Sequence, residues 1–203
     1  MVSIYNIKNS RHKNNNSCKI NDTFVDIWWS CEDSPKKRST ILTQQVLSKY
    51  NVGNKKTTIY RTKRGKPYLN PPVISFSISH TKHFYVIAVT NHPNIGLDCE
   101  EINRKIKNFH SIVAYAFQSK NKFEFQQLPS YLSSYSFFRG WTKYEAYCKY
   151  FGYSIFHVTP YIVNLWNCAP SYFNEFTIFP ISIHPLLISS ISLPCTQHVL
   201  KIS

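Results

Sequence analysis

The 203-residue chain carries 24 lysines and arginines against 10 acids, a formal charge of +14, with 43% hydrophobic and 16% aromatic residues. That composition excludes a disordered chain, and the length allows one domain or two small halves packed together. The excess positive charge draws in polyanions or acidic proteins without naming one.

Six cysteines (Cys18, Cys31, Cys99, Cys148, Cys168, Cys195) show no Cys-x-x-Cys pair. A disulfide framework or structural zinc site is therefore not expected. No apolar run reaches the roughly 18 residues that span a membrane, and none opens the sequence. A reduced, cytoplasmic protein without a membrane segment is the expectation.

In chain order, residues 1–10 read as a short strand and the Asn-rich 11–16 as a loop. Phe24 to Trp29 offers apolar anchoring. Ser34-Pro35 reads as an N-cap followed by proline at the first helical position, with Ile41, Leu42, Val46, Leu47 and Tyr50 as the apolar face and Asn51 and Gly53 as the stop. Lys36, Lys37 and Arg38 in its first turn oppose the helix dipole, so they either serve an anion or form a solvated basic turn. Strands follow at 57–62, 74–79, 84–90 and 95–100, the first two separated by the cationic turn Lys63-Arg64-Gly65-Lys66-Pro67. Ile106, Phe109, Val113, Ala116 and Phe117 mark an amphipathic helix. A long helix covers 131–151, stopped by Gly152, and strands are read at 161–166, 176–180 and 186–193.

Two features are ionic. In the strand at 95–100, Ile95, Leu97 and Cys99 alternate with Gly96, Asp98 and Glu100, so two carboxylates share one face. A divalent cation between them, or a solvent-facing edge strand, accounts for that. In the long helix, Trp141, Glu145 and Lys149 share one stripe. The acid and base there read either as a surface ion pair or as the wall of a cleft that holds something ionic.

Four pieces stand in a fixed order: Gly65-Lys66-Pro67; Phe76-Ser77-Ile78-Ser79-His80; Ile95-Gly96-Leu97-Asp98-Cys99-Glu100; and Trp141 through Lys149. Over roughly residues 36–154 the chain resembles the surfactin-type 4'-phosphopantetheinyl transferases, which carry a Gly-Lys-Pro turn, a Phe-x-x-Ser-His strand end, a Gly-x-Asp-x-Glu strand and a Trp-x-x-Lys-Glu-Ala-x-x-x-Lys-like helix. The resemblance implies an α+β, pseudo-twofold fold of two similar halves, 1–92 on the coenzyme A 3'-phosphate and adenine side and 93–203 with the carboxylates and catalytic helix. It implies transfer of the phosphopantetheine arm from coenzyme A to a serine of a carrier protein, with release of adenosine 3',5'-bisphosphate. On matching positions, Asp98, Glu100 and Glu145 are implied as Mg²⁺ ligands and Glu145 and Lys149 as catalytic. Lys66, Ser79, His80, Lys149 and Arg38, or a neighbour of Arg38, are implied as coenzyme A contacts. The implied partners are an acidic acyl or peptidyl carrier protein and coenzyme A, with no nucleic acid, and the chain is expected to act as a monomer.

Two departures from the pattern stand out. Tyr144 occupies the position before the helix glutamate where the family has lysine, and Lys143 lies one place earlier, roughly 100° around the helix. Glu124 is displaced from the family's Phe-Ser-x-x-Glu position. An impaired member that binds coenzyme A or an acidic protein without turnover is the alternative expectation.

Overall fold

The computed structural model describes residues 2–8, 23–50, 58–155, 157–158 and 160–195. The loop read at 11–16 and the helix stop at Asn51 and Gly53 lie outside them. The N-terminal elements are strands β1 (Val2–Asn6) and β2 (Val25–Cys31), helix α1 (Pro35–Leu47) and the short strands β3 (Ile59–Arg61) and β4 (Pro67–Leu69). Strands β5 (Ser75–His80), β6 (Phe84–Thr90) and β7 (Gly96–Glu101) follow, then helices α2 (Phe109–Ala116), α3 (Ser119–Gln126) and α4 (Ser130–Phe151). Strands β8 (Ser171–Tyr172), β9 (Phe176–Ile181) and β10 (Leu187–Pro194) complete the order.

The fold is α+β. One four-stranded sheet has the order β1-β2-β6-β5 and the other β7-β10-β9-β8, with β3 and β4 forming a separate hairpin. Among the described residues all pairings are antiparallel except β1 with β2. Both four-stranded sheets repeat one connection: a first strand leads through helix to two further strands, the last of which pairs between the other two. The orders β2-β6-β5 and β7-β10-β9 are thus topologically equivalent, as the two-half architecture requires.

Alternation along β6 explains the layering. Phe84, Val86 and Ala88 face β7 and β10 across the space between the sheets, joining Val25, Ile27, Leu97, Ile191 and Leu193. Tyr85, Ile87 and Val89 face the other way, against Leu42, Val46 and Leu47 of α1. A strand buried on both faces must be apolar at every position, which is why residues 84–90 read as continuous rather than alternating. A third core joins α2, α3 and α4 to the outer face of the second sheet. The layers therefore run helix, sheet, sheet, helix.

The two sheets meet where β5 lies beside β7. Ser77 Oγ accepts the Leu97 amide at 2.9 Å and Ser79 Oγ accepts that of Cys99 at 3.3 Å. On its other face β7 touches α4 backbone to backbone at Gly96. A Cβ on Gly96 would overlap the Ala146 carbonyl oxygen and lie 2.6 Å from the Tyr150 nitrogen.

Two expectations changed. Residues 161–166 form turns rather than a strand, although Ile162, Leu165 and Trp166 are buried. Buried Asn121 replaces a strand partner: its side chain donates to the Ile162 carbonyl at 2.9 Å and accepts its amide at 3.3 Å, while Trp166 Nε1 donates to the Asn121 carbonyl at 2.9 Å. Helix α3 was not foreseen, because its buried positions are only Asn121 and Phe125, too sparse for a helical apolar stripe.

Gly96→Ala should destabilise the chain by about 3 kcal/mol, the upper range for overpacking, since backbone blocks the new methyl group and no side chain can turn away. Urea denaturation of both proteins measures this.

Candidate active site

The close approach at Gly96 brings the carboxylates of β7 against the charged stripe of α4. Asp98, Glu100 and Glu145 each offer an oxygen within 4.8 Å of the others. Asp98 and Glu100 are buried, and the Glu145 side chain is 16% exposed. Lys149 Nζ lies 2.6 Å from Asp98 Oδ1 and 3.9 Å from Glu145 Oε2. Ser79 Oγ donates to the same Asp98 oxygen at 2.8 Å, and Arg104 Nη1 donates to Glu100 Oε1.

Three carboxylates face two cations, Lys149 shared by Asp98 and Glu145 and Arg104 on Glu100, which leaves the cluster short of one positive charge. Burial pushes the Glu145 carboxyl up to about 8, reinforced by Asp98 and opposed by Lys149. Burial and then Asp98 also raise Glu100. Lys149 is raised: desolvation pulls it down, but Asp98 and Glu145 outweigh that. The second Asp98 oxygen, Oδ2, is buried with no hydrogen-bond partner among the described residues. A buried carboxylate oxygen lacking a donor, beside two further carboxylates, is the donor set of a hard divalent cation such as Mg²⁺. The residues present fit that ion.

The cluster sits in the wall of a cleft of about 1040 Å³. Lys36, Arg61, Arg64, Lys66, Lys82, Arg104, Lys105 and Lys149 contribute cations to its lining, and Ser79 and His80 come from the end of β5. Glu101, also lining it, is fixed from outside the cluster. Its Oε1 accepts from Thr81 Oγ1 and the His83 amide, and its Oε2 lies 2.9 Å from His83 Nδ1. Burial raises the Glu101 carboxyl, but these bonds outweigh it and hold the group below its ordinary range. The cleft combines a carboxylate pole with a broad cationic wall, a pattern that suits a polyphosphate held with a metal ion.

No protein-family model matches the chain. Over 120 residues it is 32% identical to the 4'-phosphopantetheinyl transferase gsp of Aneurinibacillus migulanus, an overlap covering 56% of this chain. The overlap spans about half of that relative, 48% of its length.

Several residues implied by the phosphopantetheinyl transferase resemblance converge on the cleft: Asp98, Glu100, Glu145, Lys149, Ser79, His80 and Lys66 all line it. Arg38 does not. Its guanidinium pairs with buried Glu32, and from the same helix start Lys36 faces the cleft instead. Lys66 lines the cleft, but its ammonium is engaged, donating to Tyr150 O at 2.5 Å and to Asn94 Oδ1. Desolvation lowers it to about 8. Ser79 is likewise committed to β7, through Asp98 and the Cys99 amide.

The departures from the phosphopantetheinyl transferase helix pattern are buried away from the cleft lining. Tyr144 is fully buried among Phe117 and Trp141 and donates to Val158 O at 3.0 Å. Lys143 points elsewhere, donating to Asn164 O and, at 2.8 Å, to Ala169 O. Glu124 accepts from Tyr161 Oη at 3.1 Å and from Asn121 Nδ2 at 3.2 Å. Trp141, on the Glu145 stripe by spacing, stacks on Phe137 with ring centroids 5.8 Å apart. The stripe therefore divides between core and cleft. Arg104 and Glu101 escaped the sequence reading. No spacing rule pointed to Arg104, since Glu100 lies in β7 and Arg104 in the turn after it, where the helical i, i+4 pairing does not apply.

Between the ordinary glutamate value of 4.5 and about 8, folded Glu145 retains a proton that the unfolded chain has released. Stability of the metal-free protein from this group therefore falls as pH rises through that window. Lys66 and Lys143 act oppositely, adding stability from about 8 to 10.5. Thermal melts should show a falling Tm between pH 5 and 8, a Mg²⁺-induced gain that is larger at pH 8, and a flatter profile for Glu145→Gln. Each kcal/mol of repulsion removed should raise Tm by roughly 2–4 °C.

Proposed function

We propose that the chain transfers the 4'-phosphopantetheine arm of coenzyme A to a serine hydroxyl of an acidic acyl or peptidyl carrier protein, releasing adenosine 3',5'-bisphosphate. The observation that carries this reading is the convergence of Asp98, Glu100 and Glu145 with Lys149 at one pole of a cationic cleft. The named relative supports the reaction class. The reading takes residues 1–92 and 93–203 as halves bordering the cleft, and the protein as a cytoplasmic monomer.

The reaction forms a bond from the serine oxygen to the β-phosphorus of coenzyme A and breaks the bond from that phosphorus to the bridging pyrophosphate oxygen. Such displacement depends on alignment and charge neutralisation more than on covalent help. Asp98, Glu100 and Glu145 would hold Mg²⁺, which would supply neutralisation of the pyrophosphate charge. Lys149 adds a fixed positive charge beside the same carboxylates. Glu145 accepts the serine proton, directly or through a water, the neighbouring cation charge favouring its ionised form. Lys36, Arg61, Arg64 and His80 face the donor's nucleotide phosphates. Lys66 acts from behind, holding the end of α4 through Tyr150 O. The +14 net charge speeds encounter with an acidic carrier.

The test is intact-mass measurement of a panel of apo carrier proteins incubated with coenzyme A, with and without Mg²⁺. The expected result is a metal-dependent gain of one phosphopantetheine mass. Glu145→Gln should slow transfer by at least about 10²-fold, and Lys149→Met by about 10²–10³-fold. An undiminished rate for Glu145→Gln overturns its role as base. Unmodified carriers, with coenzyme A binding still measurable by calorimetry, overturn the enzyme reading in favour of a binding module.

A further inference from the structure

A second cavity, of about 370 Å³, opens between the N-terminal half of α4 and the β9–β10 end of the second sheet. Its lining contains Arg139 and Lys143, one helical turn apart on α4, and no acidic residue. Among the described residues neither cation forms a salt bridge.

The Lys143 side chain is almost completely buried, 1% of the residue being exposed. A buried ammonium ordinarily has a carboxylate partner, because desolvation costs several kcal/mol per ion. Lys143 has two carbonyl oxygens, of Asn164 and Ala169, which engage two of its three N–H donors. Arg139 uses one donor on Cys168 Sγ and one on Tyr135 Oη at 2.7 Å, which leaves three of its five. Burial, and then the charge of Arg139, pull the Lys143 amine down to about 8. Two like charges thus share a small cavity with spare donors and no compensating anion among the described residues.

We infer that this cavity is a binding site for a phosphate-sized oxyanion, held between Arg139 and Lys143 and separate from the coenzyme A cleft. Its volume lies in the lower range of small-ligand pockets, so it has room for inorganic phosphate or for the phosphoryl group of a small phosphomonoester. Arg139 supplies planar paired donors suited to an oxyanion, and Lys143 a point charge behind it. The inference does not depend on the proposed transfer reaction.

The test is to titrate the ¹⁵N-labelled full chain with inorganic phosphate and, separately, with glycerol phosphate, following backbone amides by NMR. Saturable shifts at Cys168, Ala169 and Ser190 are expected. Arg139 is partly exposed, so Arg139→Gln should fold normally and weaken this response about tenfold or more, consistent with loss of a charged donor, while amides at Ser79 and His80 respond as in the parent protein. Lys143→Met, if it folds, should weaken it similarly. A tighter response to glycerol phosphate identifies a phosphomonoester site, and a tighter response to phosphate a free-ion site. Shifts confined to the cleft, or an unchanged response in Arg139→Gln, overturn the inference.

Discussion

The backbone contact between β7 and α4 at Gly96 is the constraint on which the site depends. Any side chain at that position would force strand and helix apart, because the Ala146 carbonyl and Tyr150 nitrogen occupy its place. With glycine there, the next two inward positions of β7 are Asp98 and Glu100, and the facing turn of α4 offers Glu145 and Lys149. The repulsion among the carboxylates is a consequence of packing, held in place by cores on both sides. Leu97 and Cys99 anchor the opposite face of β7 between the sheets, and Tyr144 and Cys148 anchor α4 in the helical core.

Lys66 shows how a residue of ligand-binding type becomes structural. A cation near a helix C-terminus is favourable because the last carbonyls lack intrahelical partners. Lys66 meets that need at Tyr150 O and also holds Asn94 in the link between β6 and β7. Gly152, with φ 70°, ends α4 beside the Lys66 stem, where a Cβ would lie 3.3 Å from Lys66 Cβ. The hairpin turn, the link between the sheets and the end of α4 are thereby joined at one ammonium.

Much of this arrangement could be read in the chain itself. Period-two alternation from Ile95 to Glu100 placed the acids on one face, and the i, i+4 spacing put Glu145 beside Lys149. Helix α1 began at the proline that the capping pattern named. What escaped was non-local. No spacing rule tells that Arg38 turns to Glu32 while Lys36 faces the cleft, or that Lys143 reaches a loop more than twenty residues ahead. Residues 161–166 carry strand-like composition, yet their polar backbone is satisfied by the side chain of Asn121, a partner forty residues away. Such tertiary substitutions leave no periodic trace.

Ser77 and Ser79 have a further consequence. Strands β5 and β7 are each the last strand of their sheets, and an exposed edge of unpaired amides is a template for pairing with another chain. Here the two edges face one another, and the serine hydroxyls accept the Leu97 and Cys99 amides of β7. The sheets are joined without merging into one continuous ladder. Because the linkage runs through hydroxyls rather than carbonyls, the same seam that hides these edges from self-association also delivers Ser79 to Asp98, tying protection against aggregation to the geometry of the charged cluster.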